Sequence, residues 1–135
     1  MINDYNFGKD EENKLYNVIK DIFDDNLKQT INKFNRFDFI SDKFKIEMKS
    51  RNINHNLYPD VFISYNKIDY FLNNFKDTHT LILIFNYIDK ILYIKYNDDI
   101  FKKFKIQHQN TRIDYKKLDT VIYIPINLLS ELKKD

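Results

Sequence analysis

The stretch from Phe37 to Arg51, Phe-Asp-Phe-Ile-Ser-Asp-Lys-Phe-Lys-Ile-Glu-Met-Lys-Ser-Arg, constrains the fold most, because it reads as a β-hairpin whose turn dictates its register. Side chains alternate faces along a strand, so Glu47 and Lys49 share one face while Ile46 and Met48 take the other. With Asp42-Lys43 as a two-residue loop, Ser41 opposes Phe44 and Asp38 falls opposite Glu47; a four-residue loop gives the same pairing. Carboxylates facing each other across a ladder repel and need a compensating partner. A divalent cation such as Mg²⁺ takes hard oxygen ligands, keeps several waters, and is held by one or two carboxylates plus phosphate oxygens. Asp38 and Glu47 offer that donor set, and Lys49 follows two residues on, beside the water or the phosphate.

An acid on one strand followed by acid-x-Lys on the next resembles the PD-(D/E)xK nuclease superfamily, which includes many restriction enzymes, resolvases and repair nucleases. Asp38 takes the place of its first acid and Glu47-Met48-Lys49 that of its ExK, with Phe37 where the family's name has proline. Acid-x-Lys occurs four times: Glu12-Asn13-Lys14, Glu47-Met48-Lys49, Asp114-Tyr115-Lys116 and Glu131-Leu132-Lys133. Only the second lies in an apolar alternating strand with an upstream acid on a partner strand. Pro59-Asp60 with Asp114-Tyr115-Lys116 is a competing pair, but the segment around Asp114 is polar and lacks alternation. The resemblance covers roughly the first half of the chain. It implies a Mg²⁺-dependent endonuclease acting on DNA, with Mn²⁺ able to substitute. It further implies metal ligation by Asp38, Glu47 and the backbone carbonyl of Met48, and a Lys49 that orients or activates water. Many members add an acid from the first helix; Glu12 is the candidate here and Glu11 its nearest rival, against the plain reading of a first-turn helix acid.

Two other readings stay open. One is an inactive member that keeps the fold as a nucleic-acid-binding or assembly module. The other is an unrelated α+β protein in which Asp38 and Glu47 are merely exposed hairpin positions.

A chain of 135 residues is expected to form one domain, 1–135, large enough to bury a core. It has no cysteine, which excludes disulfides and thiolate metal sites, and its single glycine excludes a glycine-rich phosphate loop. His55, His79 and His108 lack ligand spacing, so zinc is not expected. The polar start and the short apolar runs fit neither a signal peptide nor a membrane span, so a soluble intracellular protein is expected, cytoplasmic or nuclear. The abundance of Asn, Ile, Tyr and Lys suggests an AT-rich coding genome, a hint of a virus, phage or AT-rich microbe.

Net charge is only +2, yet residues 102–117 carry Lys102, Lys103, Lys105, Arg112, Lys116 and Lys117 against Asp114 alone, leaving the rest net acidic. Such a stretch tracks phosphates or is simply a solvated surface. Ser50, Arg51 and Lys67 are expected near the scissile backbone. Tyr58 is expected in the core, like most of the other aromatic residues.

Periodicity predicts a helix from about Lys9 to Leu27, with Leu15, Val18, Ile19, Ile22 and Phe23 as its apolar stripe. Hairpin strands follow near 36–41 and 44–50, then a short strand at Val61–Ser64 and a helix from Lys67 to Phe75. Strands from Leu81 to Tyr87 and Ile91 to Tyr96 flank a turn near Asp89-Lys90. A late strand at Val121–Ile124 and a terminal helix from Leu128 to Leu132 complete the order. This predicts an α/β (α+β mixed) fold, a central mixed sheet flanked by helices, in keeping with the restriction-endonuclease-like core that the resemblance implies. A homodimer is expected, pairing through the late strand and terminal helix so that two centres address two DNA strands, with recognition of DNA shape or branching.

Overall fold

The computed structural model describes residues 4–31, 36–109 and 119–133. It opens on helix α1 (Asp4–Phe23), followed by strands β1 (Lys28–Gln29), β2 (Phe39–Ile40), β3 (Phe44–Ser50) and β4 (Asp60–Ser64). Helix α2 (Tyr65–Asn74) leads to β5 (Thr80–Asn86) and β6 (Ile91–Lys95), then the short helix α3 (Asp98–Phe101). The described chain closes with β7 (Lys105–Gln109), β8 (Asp119–Pro125), a 3-10 turn (Ile126–Leu128) and β9 (Ser130–Glu131).

The expected mixed sheet is there, six-stranded in the order β1-β2-β3-β5-β6-β9, and a second sheet of order β4-β8-β7 accompanies it. Strands β3 and β5 run parallel from Phe44↔Thr80 to Ser50↔Asn86, joined through β4 and α2. A parallel pair of this kind sits between covering layers, and residues 81–87 are accordingly all buried. Alternation splits β5 between two cores. Ile82 and Ile84 pack with Ile46, Met48, Phe39 and Ile19 on the α1 side, whereas Leu81, Leu83 and Phe85 pack with Ile63, Ile68, Phe71 and Ile122 on the side of α2 and the second sheet. One face is thus covered by a helix, the other by a helix and a sheet.

Element boundaries moved for local reasons. Helix α1 ends at Phe23 and does not reach Leu27, because the Asp24 carboxylate accepts the N–H of Asn26 and turns the chain. Helix α2 starts two residues before Lys67 because Ser64 caps it, accepting the Asn66 N–H. The expected terminal helix is absent. Five residues are too few to repay helix nucleation, and the chain instead makes a 3-10 turn and adds β9 to β6 through Leu92↔Glu131 and Tyr93↔Ser130. The short strands β1 and β9, helix α3 and strand β7 carry no strong period and were not expected. Among the described residues, no helix is long and apolar enough to cross a membrane.

Candidate active site

The hairpin turn has the expected even register. The Ser41 N–H donates to the Phe44 carbonyl at 2.9 Å, and Ile40↔Lys45 and Phe39↔Ile46 are paired. Ser41 Oγ also accepts the N–H groups of Lys43 and Phe44, tying the loop to itself. The ladder, however, stops before Asp38. The Asp38 N–H bonds the Ile46 carbonyl at 2.9 Å, so Asp38 and Phe39 together face Ile46, the arrangement of a β-bulge. Asp38 is therefore not the directly opposed ladder partner of Glu47. The bulge also explains why Phe37 and Phe39, of equal parity, enter opposite cores. Asp38 Oδ2 accepts the Met48 N–H at 2.9 Å, on the edge of β3 that β2 no longer covers.

Around this bulge three acids meet. Glu12 continues the inward line of α1 through Leu15, Tyr16 and Ile19, and is 7% exposed; Glu47 is 3% exposed. Burial, and then the charge of Asp38, push the Glu12 carboxyl up to about 7, although Lys9 opposes the shift from 3.1 Å. Lys9 also donates to the Thr30 carbonyl, which fixes the ammonium beside the acid. Burial also raises Glu47 well above the carboxylate range, reinforced by a hydrogen bond and charge from Asp38 and countered by Lys49 and Lys67. Asp38 is thus the middle member of a line of carboxylates. Among the described residues, no three His, Cys, Asp or Glu side chains are grouped closely enough to form a ready metal cage.

Glu47 Oε2 is buried without a hydrogen-bond partner among the described residues, a state that costs about 1–3 kcal/mol. Its neighbours are two ammonium groups, Lys67 Nζ at 3.4 Å and Lys49 Nζ at 3.9 Å. Lys49 keeps 41% of its side chain exposed and can reach a substrate, whereas Lys67, brought in by α2, also donates to the Arg36 carbonyl. Lys67 was expected on the DNA backbone; the fold seats it on Glu47. Sequence reasoning missed this convergence because α2 is remote from the hairpin along the chain. It missed Lys9 too, although a lysine one turn before an acid on a helix is a readable pair.

The remaining candidates lie elsewhere. Glu11 accepts from Asn86 Nδ2 at 2.9 Å and pairs with Lys14, and Asn86 also reaches Ser50 Oγ. Arg51 extends β3, its N–H donating to the Asn86 carbonyl at 2.8 Å, and lines a separate cavity. Asp60 opens β4 opposite Pro125, is exposed and lines the same cavity as Arg51, while Asp114-Tyr115-Lys116 lies outside the described residues. Glu131 pairs with Lys90. Lys102 and Lys103 follow α3, and Lys105 starts β7, an edge strand of the second sheet; Arg112 lies outside the described residues. Tyr58, expected in the core, is 60% exposed because its polar loop lies outside both cores.

A buried acid line at a hairpin bulge, with two lysines and one orphaned oxygen, is suited to binding cationic or phosphate-bearing partners. No curated protein and no solved structure matches the chain. A family model described as "Phage putative PDDEXK endonuclease" matches residues 9–132, a span that holds Glu12, Asp38, Glu47-Met48-Lys49 and Lys67. The chain belongs to this phage PDDEXK endonuclease family.

Proposed function

We propose that the protein is a Mg²⁺-dependent endonuclease that hydrolyses DNA phosphodiester bonds at the Glu12, Asp38, Glu47 and Lys49 centre. The observation that carries this reading is Glu47 Oε2, buried, without a hydrogen bond among the described residues, and held beside the Asp38 carboxyl. An orphaned carboxyl oxygen in an all-oxygen set, where Asp38 raises the pKa of both glutamates, fits a hard divalent cation that would displace the protons. Asp38, Glu47 and the Met48 carbonyl would hold it, with Glu12 joining, and both glutamates would give up their protons as it binds. When bound, such an ion polarises a phosphoryl oxygen and acidifies a water.

The chain's own groups do the rest. The Asp38 carboxylate grips the Met48 N–H and so fixes the Met48–Lys49 strand that presents the lysine. Lys49, half-exposed, donates to a phosphate oxygen and offsets the charge that grows as the phosphorus is attacked. Glu12, with a pKa of about 7, is poised to exchange a proton at neutral pH. Lys67 offsets the Glu47 charge from the α2 side.

Cleavage of linear, branched and single-stranded DNA, with Mg²⁺, Mn²⁺, Ca²⁺ or a chelator, tests the proposal. Asp38→Ala, Glu47→Ala and Lys49→Ala should each lower the rate by about 10²-fold or more. Mg²⁺ and Mn²⁺ should support turnover, and Ca²⁺ binding without efficient turnover. Full activity in chelator, or undiminished cleavage by Lys49→Ala, would refute it.

Cutting both strands with one such centre per chain requires two copies, so a homodimer belongs to the proposal, though not through the absent terminal helix. Light scattering with branched DNA should give a complex of two chain masses plus that of the DNA. A monomer that only nicks would remove this part.

A further inference from the structure

Two residues past Lys49, β3 delivers a second cation into a different setting. Among the described residues, the Arg51 guanidinium reaches the Ser50 carbonyl, at 3.4 Å, and forms no ion pair with a carboxylate. Burial lowers its pKa, opposed by the neighbouring Tyr87. A half-buried cation with no ion-pair partner among the described residues is costly, and an anion at this point would relieve the cost.

Arg51 lines a cavity of about 160 Å³ whose other walls include the apolar and aromatic side chains Ile53, Tyr58, Val61, Phe62 and Tyr87, with His55 and the exposed Asp60 at the side that opens outward. By its volume and its aromatic walls it suits one ring and not a base pair. Through His55, Tyr58 and Asp60 it adjoins a wider groove of about 810 Å³. Two of its aromatic walls face solvent: Tyr58 is 60% and Phe62 46% exposed.

Phe62 also begins a row across the second sheet. It pairs with Tyr123, and Tyr123 with Lys105. The Phe62 and Tyr123 rings lie 5.6 Å apart, and Lys105 Nζ stands 5.6 Å from the Tyr123 ring centre. With neighbouring strands about 4.8 Å apart, the row extends roughly 10 Å from the Arg51 cavity toward the basic edge strand β7. Aromatic rings bracketed by cations are what unpaired nucleic acid uses: bases stack on the rings and phosphates meet the charges. A duplex, whose bases are already stacked, gains nothing from them.

We propose that the Arg51 cavity and the Phe62, Tyr123, Lys105 row form a path for an unpaired DNA strand leaving the cleavage centre. The proposal rests on the nuclease reading, and it makes the substrate a branched or flapped DNA in place of a continuous duplex. Arg51 takes the phosphate next to the scissile one, the cavity takes the first unpaired base against Tyr58 and Phe62, and Lys105 takes a later phosphate.

The test is equilibrium binding by the full chain in chelator, with fluorescent oligothymidylate, a flapped duplex and a continuous duplex of equal length. The parent should bind the first two more tightly than the third. Tyr58→Ala and Phe62→Ala, both at exposed positions and checked for an unchanged melting temperature, should each weaken oligothymidylate binding by about fivefold or more. The ratio of flap to duplex affinity should fall with them, and Lys105→Gln should lower it less. Equal losses on all three probes, no loss, or thymidine monophosphate competing as well as the oligonucleotide would each overturn the path. Parent cleavage in Mg²⁺ is read separately: cutting without any dependence on Tyr58 or Phe62 removes the path and leaves the nuclease, whereas aromatic-dependent strand binding without cutting does the reverse.

Discussion

Glu47 on β3 and Leu83 on β5 are register partners across the parallel ladder, and they are almost equally buried, at 3% and 1% exposure. They differ in what surrounds them. Leu83 belongs to a core of apolar side chains and rewards its burial. Glu47, one strand away, carries a carboxylate oxygen with no hydrogen bond and a second acid against it. The sheet thus stores at β3 a cost that β5 and its neighbours offset. An uncompensated buried acid is retained where charge arrives from outside, whereas a buried leucine answers only to the fold.

The largest expected effect breaks the pair from the apolar side. Leu83→Ala should cost about 2–5 kcal/mol of stability through lost transfer energy and a cavity, read as a shifted urea midpoint at unchanged slope. Glu47→Gln should do the opposite at pH 8, holding or raising the melting temperature. The pH dependence sharpens this contrast. Glu12, at about 7, and Glu47, raised well above the ordinary carboxylate range, both bind protons more tightly in the folded chain than in the unfolded one. Their contribution is therefore fully present below the ordinary carboxylate pKa and lost as pH rises through the folded values. The advantage of Glu12→Gln or Glu47→Gln over the parent should grow between pH 5 and pH 8. Using that difference cancels acids such as Asp24 and Asp98, whose lowered pKa values act in the opposite sense. Mg²⁺ should return the parent's lost stability at pH 8 and do little for the Gln variants. A Gln advantage that shrinks with rising pH would show that neither acid is strained.

How far this was legible follows from which signals are local. The Glu47-Met48-Lys49 alternation, the even turn and the apolar runs of β5 and β6 are carried by near neighbours in sequence, and they stand as expected. Glu12 was singled out through the resemblance alone, and it lies on the inward line of α1, which the stripe read from Leu15 onward did not include. The Asp38 bulge was not legible, because period-two alternation assumes an unbroken ladder. Neither was Lys67 on Glu47, nor the separation of β4, β8 and β7 into their own sheet, since both depend on how distant segments pack. The terminal helix failed because a short apolar run fits a strand or turn equally well.

The smallest expected effect lies far from Glu47 and Leu83, at the basic edge. Lys102, Lys103 and Lys105 are exposed; Lys102 has Asp99 at 3.6 Å, which partly spends its charge within α3, and Lys105 leans on Tyr123. If these lysines meet phosphates, each contact releases counterions, and the logarithm of the binding constant falls with the logarithm of salt by about 0.7–0.9 per contact. Replacing all three by Gln should flatten that slope by about two units, because the Asp99-paired Lys102 contributes least. Affinity should fall alike for every sequence, while the cleavage rate at saturating DNA should stay within about twofold, since none of the three neighbours the acid line. Binding titrations at four salt concentrations would show it. An unchanged slope would return this edge to ordinary solvated surface, and a slope change confined to one DNA sequence would make it a reader of bases.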